Sequence, residues 1–466
     1  MRYSLLSREL IAGMVEAQTR ANAFDGMALI SSCDKAVPAH LMAIMRLNIP
    51  SVFVPGGVMP AGADGFTLEQ MGDADAALKT GKMTGDAFHG CQRNACPSCG
   101  ACQFMGTAAT MQVMAEALGL ALPHSALVPA HLKFAGLAAK RAGKALTKLV
   151  AQGIRPRDIV TEKALHNAIV VHGAIGGSTN ALLHLPAIAR EAGLSFHAAD
   201  VDTLHREIPF MVNTRPSGQY GTDMLWYAGG VPALMRQLRA HLHLDVLTVT
   251  GKTLGENLDE YDETAFEGWL SNYNVAKTDV IRRISDAGAI AILSGNLAPG
   301  GAVVKYTGLP AGMRHFQGKA RVFENETDAR EAILYGGIQP GDCIVLRYAG
   351  PKGAGMPEMF YTTQALCANP VLSASTAIIT DGRFSGASTG PCVGHISPEA
   401  AEGGNIALVH EGDVIEIDIE NRTINVLGVD FEARRAEWAY RPPTARGILG
   451  LYQKTAASAM LGGYMA

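Results

Sequence analysis

Residues 27–57, MALISSCDKAVPAHLMAIMRLNIPSVFVPGG, decide how this chain is read. Met27 to Ile30 is a short apolar run of strand type, Pro38 opens an apolar helical stretch (AHLMAIMRL), and Ser51 to Val54 is a second strand run closed by Gly56-Gly57. Strand, crossover helix and strand in succession predict a parallel sheet covered by helices. In such sheets ligands gather beyond the carboxyl ends of the strands, where helix N-termini point. Cys33, Asp34 and Lys35 occupy that place. Upstream, Ser7 is expected to cap a helix starting near Arg8, with Glu9 in its first turn and Leu10, Ile11, Met14 and Val15 as its apolar stripe.

Helical patterns continue from 103 to 240, as in TMQVMAEALGLAL and NALLHLPAIAREAG, broken by the Gly-rich loop Gly173 to Asn180. Beyond residue 285 the texture changes to short β-type runs (AIAIL, GAVVKY, DCIVLRY, STAIIT, DVIEIDI) separated by Gly, Pro, Asn and Asp. Ile415, Ile417 and Ile419 alternate with Glu416, Asp418 and Glu420 before a turn at Asn421-Arg422, the pattern of a hairpin in a barrel or sandwich. A domain boundary is therefore expected near 280–286.

Composition excludes several classes. The 466 residues carry 39 Lys+Arg against 43 Asp+Glu, a formal charge of −4, so no basic footprint for nucleic acid is present. No run reaches the roughly 18 uninterrupted apolar residues of a membrane span, and Met1-Arg2-Tyr3-Ser4 is not a signal peptide, which predicts a cytoplasmic protein. Eight cysteines are too few for a disulfide scaffold, yet four crowd together as Cys91-x4-Cys96-x2-Cys99-x2-Cys102. That spacing admits a ferredoxin-like cluster, a zinc site, or one cysteine acting with a distant partner such as Cys33. Cys33-Asp34-Lys35 sets a soft thiolate beside a hard carboxylate, ligands suited to iron and to magnesium respectively. Two further loops carry candidate chemistry: Gly350 to Met359, with Glu358, and Thr380-Asp-Gly-Arg-Phe-Ser-Gly386, with Ser385.

SLLSRELIA, CDKAVP, RNACPSCGACQFMGTAATM, GGSTNALLHL, RPSGQY, LTVTGKTLGENL, NLAPGGAVVK, RYAGPKGAGMPEM and ITDGRFSGASTGPCVGHISPEAAEGG follow one another along the chain. Together they resemble the dihydroxy-acid and 6-phosphogluconate dehydratase family over essentially its whole length. The resemblance implies an α/β fold: an N-terminal α/β domain with a parallel sheet, over 1–282, and a C-terminal β-barrel domain over 283–466. It implies a hydro-lyase that converts a 2,3-dihydroxy acid into a 2-oxo acid, working as a homodimer or homotetramer. It also implies the site: Cys33 and Cys102 as thiolate ligands of a [2Fe-2S] cluster, Asp34 and Glu358 on Mg²⁺, Lys35 as a carbamylated lysine at that ion, and Ser385 as the base. Arg383 is a nearby source of positive charge for the serine alkoxide. The substrate is either a branched-chain dihydroxy acid or a sugar acid such as an aldonate. CQFMGTAATM and RPSGQYGTDMLWYAGG look somewhat more like sugar-acid relatives.

The resemblance further implies a segment ahead of Met1–Ser4 with a first cluster cysteine and another Mg²⁺ ligand. No Cys precedes Cys33 and the only earlier Asp is Asp25, so a truncated chain is expected, its cluster short of one ligand unless Cys96 or Cys99 substitutes. The alternatives are a non-catalytic iron–sulfur or zinc-binding protein and an inactive fragment of the dehydratase. Elsewhere, Gly176 to Asn180 could cradle a carboxylate or begin a capped helix, and Arg215 could face a carboxylate or sit in a type I turn. His40, His184 and His395 read as satisfied core or edge histidines, Cys343 and Cys392 as packed thiols, and Lys352 as a solvated loop lysine.

Overall fold

The computed structural model describes residues 2–262, 265–307, 309, 311–385, 392–436 and 438–466. By contact the chain forms two compact units, one of residues 8–68 and 93–289, the other of 1–7, 69–92 and 290–466.

The first unit is mostly helical around a small parallel sheet. β1 (Met27–Ser31) pairs with β2 (Ser51–Pro55) in the register Met27 to Ser51 through Ser31 to Pro55, joined by the helix Ala36–Leu47. Pro38 is tolerated because it falls in the first turn, where an N–H has no intrahelical acceptor to lose. The helix ends where Asn48 turns left-handed (φ 50°) and returns its N–H to Ile44. β2 is buried at every residue, and burying each of Val52, Phe53 and Val54 stabilises by about 1.5–3 kcal/mol. The helix Lys133–Gln152 also packs on this sheet, and Ala181–Ala192 packs on Ala36–Leu47. A second pair, β3 (Phe210–Val212) with β4 (Ile281–Ser285), is antiparallel. The parallel sheet that the sequence predicts is present, with two strands. Ser7 is not the cap: it lies inside the helix Leu6–Asn22 and donates to Ser4 O at 2.7 Å.

The second unit is built on one eight-stranded sheet. Its strands are β5 (Ile290–Leu293), β6 (Gly301–Lys305), β7 (His315–Phe323), β8 (Asp342–Leu346), β10 (Ala377–Thr380), β12 (Cys392–Ser397), β13 (Val414–Asp418) and β14 (Thr423–Leu427). A separate two-stranded pair is made by β9 (Glu358–Met359) and β11 (Arg383–Phe384). The large sheet runs β14-β13-β7-β8-β10-β12-β6-β5. A bridge from Ser294, directly after β5, to Thr423 on β14 links its two ends, so the sheet is nearly closed and barrel-like. The predicted hairpin is β13–β14, with Ile415, Ile417 and Ile424 inside a core shared with Val304, Phe316, Val345 and Ile379. A second apolar layer, with Ile344, Ile378, Met359 and Phe384, lies beneath the helices Glu326–Leu334 and Tyr361–Cys367. Met71–Lys79 belongs to this unit and packs on Tyr361–Cys367 so closely that a Cβ on Gly72 would stand 2.3 Å from Gln364. The longest strand, β7, carries no strong sequence signal because its inward positions include Gly318 and Ala320.

Candidate functional site

In the first unit the chain leaves β1 at Ser31 and turns into the helix Ala36–Leu47, whose opening bonds run from Val37 N to Cys33 O (3.0 Å) and Ala39 N to Lys35 O (3.1 Å). Cys33, Asp34 and Lys35 thus stand beyond the carboxyl end of a parallel strand. The Cys33 thiol donates to Asp34 Oδ1 at 3.4 Å, and the buried Lys35 ammonium pairs with Asp34 Oδ2. Packing around the sulfur, and then the Asp34 charge, push the Cys33 thiol above its ordinary pKa. A bound metal would reverse this by taking the thiolate directly.

Gln112 holds the frame of this region. Fully buried, it accepts from Gly57 N (3.1 Å) and donates to Gly57 O (3.1 Å) and Ser32 O (3.5 Å). Gly57 O in turn accepts from Ala101 N at 2.9 Å. Ser32 and Ala101, the neighbours of Cys33 and Cys102, are therefore tied through one side chain. The two glycines are required by close approach: a Cβ on Gly56 would lie 2.1 Å from Ser32 Oγ, and one on Gly57 (φ 81°) 2.2 Å from Val128 O. Gln112 was missed in the sequence, where the only signal is an amide inside the apolar run TMQVM.

The four-cysteine run does not fold as a small metal module. Cys91 lies on the helix Gly85–Ala95, Cys96 and Cys99 are exposed in the loop after it, and Cys102 is half-buried. Among the described residues no three His, Cys, Asp or Glu side chains are grouped as metal ligands. The donor chemistry nonetheless suits a cluster beside a hard cation: the Cys33 and Cys102 side chains are thiols outside any disulfide, their loops are tied to one frame, and the Asp34 carboxylate adjoins Cys33.

Gly176 to Asn180 turns inward. Ser178 N donates to Thr110 Oγ1 (3.0 Å), Asn180 Nδ2 to Thr107 Oγ1 (2.8 Å), and His172 Nε2 meets Ser178 O at 3.0 Å, all buried. The loop ties the helices Thr107–Ala117 and Glu162–Ile175 to the start of Ala181–Ala192, at whose head Asn180 makes no side-chain cap. Arg215 contacts Gln219 O (3.2 Å) and Thr67 Oγ1 (3.0 Å) within the same unit. A cavity of about 720 Å³ in this unit is walled by His124, Phe134, Trp226 and Phe266 and rimmed by lysines, and contains none of the predicted site residues.

The second unit assembles the other half of the predicted set. β9 and β11 pair in parallel with Glu358 opposite Arg383 and Phe384 opposite Met359, and Ser385 N continues the ladder by donating to Met359 O at 2.8 Å. Glu358 and Ser385, 27 positions apart in the chain, are thereby brought to one place. Arg383 is fully buried and donates to Met356 O (2.9 Å), Glu358 Oε2 (3.4 Å) and Ser4 Oγ (2.6 Å), so its charge orients Glu358. Gly386 to Pro391, the rest of that motif, lie outside the described residues.

Two buried carboxyl groups anchor the loop that leads to Glu358. Asp381 accepts from Tyr348 N (3.1 Å), Ala349 N (2.8 Å) and Ala400 N (2.8 Å). Glu399 accepts from Lys352 N (2.9 Å) and Gly353 N (2.8 Å). Burial raises Asp381 to about 6, and burial together with the Asp381 charge raises Glu399 to about 8. Neither was singled out in the sequence; Glu399 sits in the plain signal HISPEAAEGG. Lys352 is not free in solvent, because its ammonium pairs with Glu402. Cys343 and Cys392 are packed thiols, each pushed up by burial.

The three histidines divide. His184 Nδ1 meets Arg8 Nη1 at 3.1 Å, and His40 is half-buried with its Nδ1 unbonded. His395 departs from the satisfied-core reading: it is 1% exposed and among the described residues both ring nitrogens lack a partner.

The barrel-like unit thus carries Glu358, Arg383 and Ser385 on and beside one short strand pair, and the small parallel sheet of the other unit leads into Cys33-Asp34-Lys35. The chain belongs to the dihydroxy-acid/6-phosphogluconate dehydratase family: the family's N-terminal profile matches residues 1–257 and its C-terminal profile residues 278–463. It is a hydro-lyase of that family, acting on dihydroxy acids. Among its relatives, the dihydroxy-acid dehydratase of Caldicellulosiruptor saccharolyticus is 44% identical over 99% of this chain and 84% of that protein. That of Caldanaerobacter subterraneus subsp. tengcongensis is 45% identical over 99% and 83%. That of Methanosarcina barkeri is 44% identical over 99% and 84%. No helix among the described residues is long and apolar enough to cross a membrane.

Proposed function

We propose that this enzyme dehydrates a branched-chain 2,3-dihydroxy acid to the 2-oxo acid, with Ser385 as the base that takes the C2 proton. The relatives at 44–45% identity are named dihydroxy-acid dehydratases, which supports a dihydroxy acid as the substrate class, and the branched-chain acid is our reading within that class. The observation that carries the site is the β9–β11 ladder, which brings Glu358 and Ser385 together with Arg383 holding the Glu358 carboxylate.

Cys33 and Cys102 would hold a [2Fe-2S] cluster, and Asp34, Glu358 and a carbamylated Lys35 would hold Mg²⁺. When bound, these groups supply Lewis acidity toward the departing C3 hydroxyl and toward the substrate carboxylate and C2 oxygen. The protein residues do the rest. Ser385 Oγ accepts the C2 proton, the C2–H pair forms the C2–C3 double bond, hydroxide leaves C3, and the enol tautomerises to the ketone. A serine hydroxyl is a feeble base in water, so its alkoxide must be held by neighbouring positive charge. The Lys35 ammonium pairs with Asp34. Carbamylation would exchange that cation for a second carboxylate, freeing Asp34 for the cation. Arg383 and Gln112 act at one remove, the first fixing the rotamer of Glu358 and the second the spacing of the Cys33 and Cys102 loops. We assign the reaction to the cytoplasm and to a homodimer or homotetramer, a reading supported by the likeness to the family.

The test is 2-oxo acid formation from 2,3-dihydroxyisovalerate and, in parallel, from an aldonate, with iron, sulfide and magnesium analysed in the same preparation. Ser385→Ala is expected to lower kcat at least a hundredfold with metal content unchanged, the scale of losing a positioned base. Wild-type turnover of the aldonate alone would move the substrate to the sugar acids, and full activity in Ser385→Ala would remove the serine from its role.

A further inference from the structure

Among the described residues, His395 is a buried histidine with neither Nδ1 nor Nε2 in a hydrogen bond. His395 sits on β12, its backbone N–H donates to Gly382 O at 2.8 Å, and the residue is 1% exposed. The other fully buried histidines are engaged: His172 meets Ser178 O at 3.0 Å and His205 Nε2 at 3.4 Å, and His184 meets Arg8. Buried polar side chains are with few exceptions bonded, and each exception asks for a reason.

The backbone adds a second, independent sign. His395 is left-handed (φ 57°), and the pairing of β12 with β6 slips between Gly394 and Ser397. A register slip of this kind re-aims a side chain. Non-glycine residues in that conformation gather at functional sites, where the surrounding structure holds them against their preference. What surrounds this one is the candidate site: the partner carbonyl is Gly382, directly before Arg383, and the Arg383 charge acts on the ring. Burial and that charge hold the imidazole neutral, with its pKa lowered to about 3. The ring therefore offers one N–H donor and one lone-pair acceptor, the pair of functions that a hydroxyl group needs.

We propose that His395 is a substrate-binding residue of the dehydratase, hydrogen-bonding a hydroxyl or carboxylate oxygen of the dihydroxy acid beside the Arg383–Ser385 strand. This rests on the reading of Ser385 and Glu358 as reaction-site residues. Binding supplies the partner that the folded chain lacks, so the group works against stability and toward affinity.

That opposition gives the test. A phenylalanine fills the same space without polar atoms, so His395→Phe is expected to melt at or above the wild-type temperature while kcat/KM falls at least tenfold, chiefly through KM. Binding is read separately, as the rise in melting temperature produced by a 2-hydroxy acid lacking the C3 hydroxyl, which cannot be dehydrated. Wild type and Ser385→Ala should both show the rise and His395→Phe should not, while His395→Asn, which keeps a donor and an acceptor, should recover part of it. If His395→Phe does not fold, the same measurements on His395→Leu decide. A variant with kcat/KM within twofold of wild type and an undiminished melting shift overturns the proposal and leaves the ring as core or water-bound. Activity surviving in Ser385→Ala would instead defeat the catalytic reading, with the His395 binding result standing by itself.

Discussion

At the scale of single residues, the chemistry rests on groups held where water would not leave them. Glu399 shows the cost. An unfolded glutamate titrates near 4.3, whereas in the fold Glu399 sits at about 8. The folded form binds the proton more tightly, so the stability from this group is fully present below the unfolded value and declines as pH rises toward the folded one. Wild-type melting temperature should therefore fall between pH 5 and 8 by more than that of Glu399→Gln, a comparison for calorimetry across that range. A steeper fall in the variant would contradict the assignment. Gln112 carries a different prediction. Gln112→Leu removes the partner of Gly57 N and leaves buried groups unpaired, which costs about 1–3 kcal/mol by denaturant unfolding. In the cluster site proposed above it should also lower iron content, because the loops before Cys33 and after Gly57 lose their common tie. These residues escaped sequence reading because a buried glutamine or glutamate looks the same in a sequence as an exposed one. His395 escaped for the converse reason: its neighbours are apolar, and only coordinates reveal that it has no partner.

At the scale of elements, the clearest sequence signals were those with strict period. The alternation over β13 put Ile415 and Ile417 inside and Glu416 and Asp418 outside, as observed. Ile417→Ala should cost about 2–5 kcal/mol by chemical denaturation, the range for a truncated core aliphatic, while Glu416→Ala should stay within about 0.5 kcal/mol as a surface change. Equal effects would mean that the register is wrong. The crossover of Ala36–Leu47 was equally legible, because its apolar face and Pro38 mark its start and its partner strands are short and close in sequence. β9 and β11 were not. Each has two residues, too short for any period, and they pair across 23 intervening residues because the Asp381 and Glu399 anchors fix the loops around them.

At the scale of the whole molecule, the sequence suggested one cut near 280–286. Grouping by contact divides at 289/290 and takes 69–92 with the barrel. β4 lies across the expected cut and pairs with β3, and hydrogen bonds outrank a change of texture in deciding where a segment belongs. Met71–Lys79 contributes Gly72 under Gln364, and Asp75 pairs with Arg330. A chain restricted to residues 290–466 should therefore melt lower and aggregate more readily than one carrying 69–92 joined by a flexible linker, measurable by scanning fluorimetry and light scattering. Equal melting would show that the barrel needs no such cover.

The sequence alone determined the family, the strand–helix–strand unit beneath Cys33 and the alternating barrel hairpin, because motifs and periods are local and survive in one dimension. Tertiary structure alone decided that Glu358 meets Arg383 and Ser385, that Gln112 links the loops of Cys33 and Cys102, and that His395 is left without a partner. Those facts depend on which distant segments exclude water from one another, and burial is a property of the packed chain that no single position encodes.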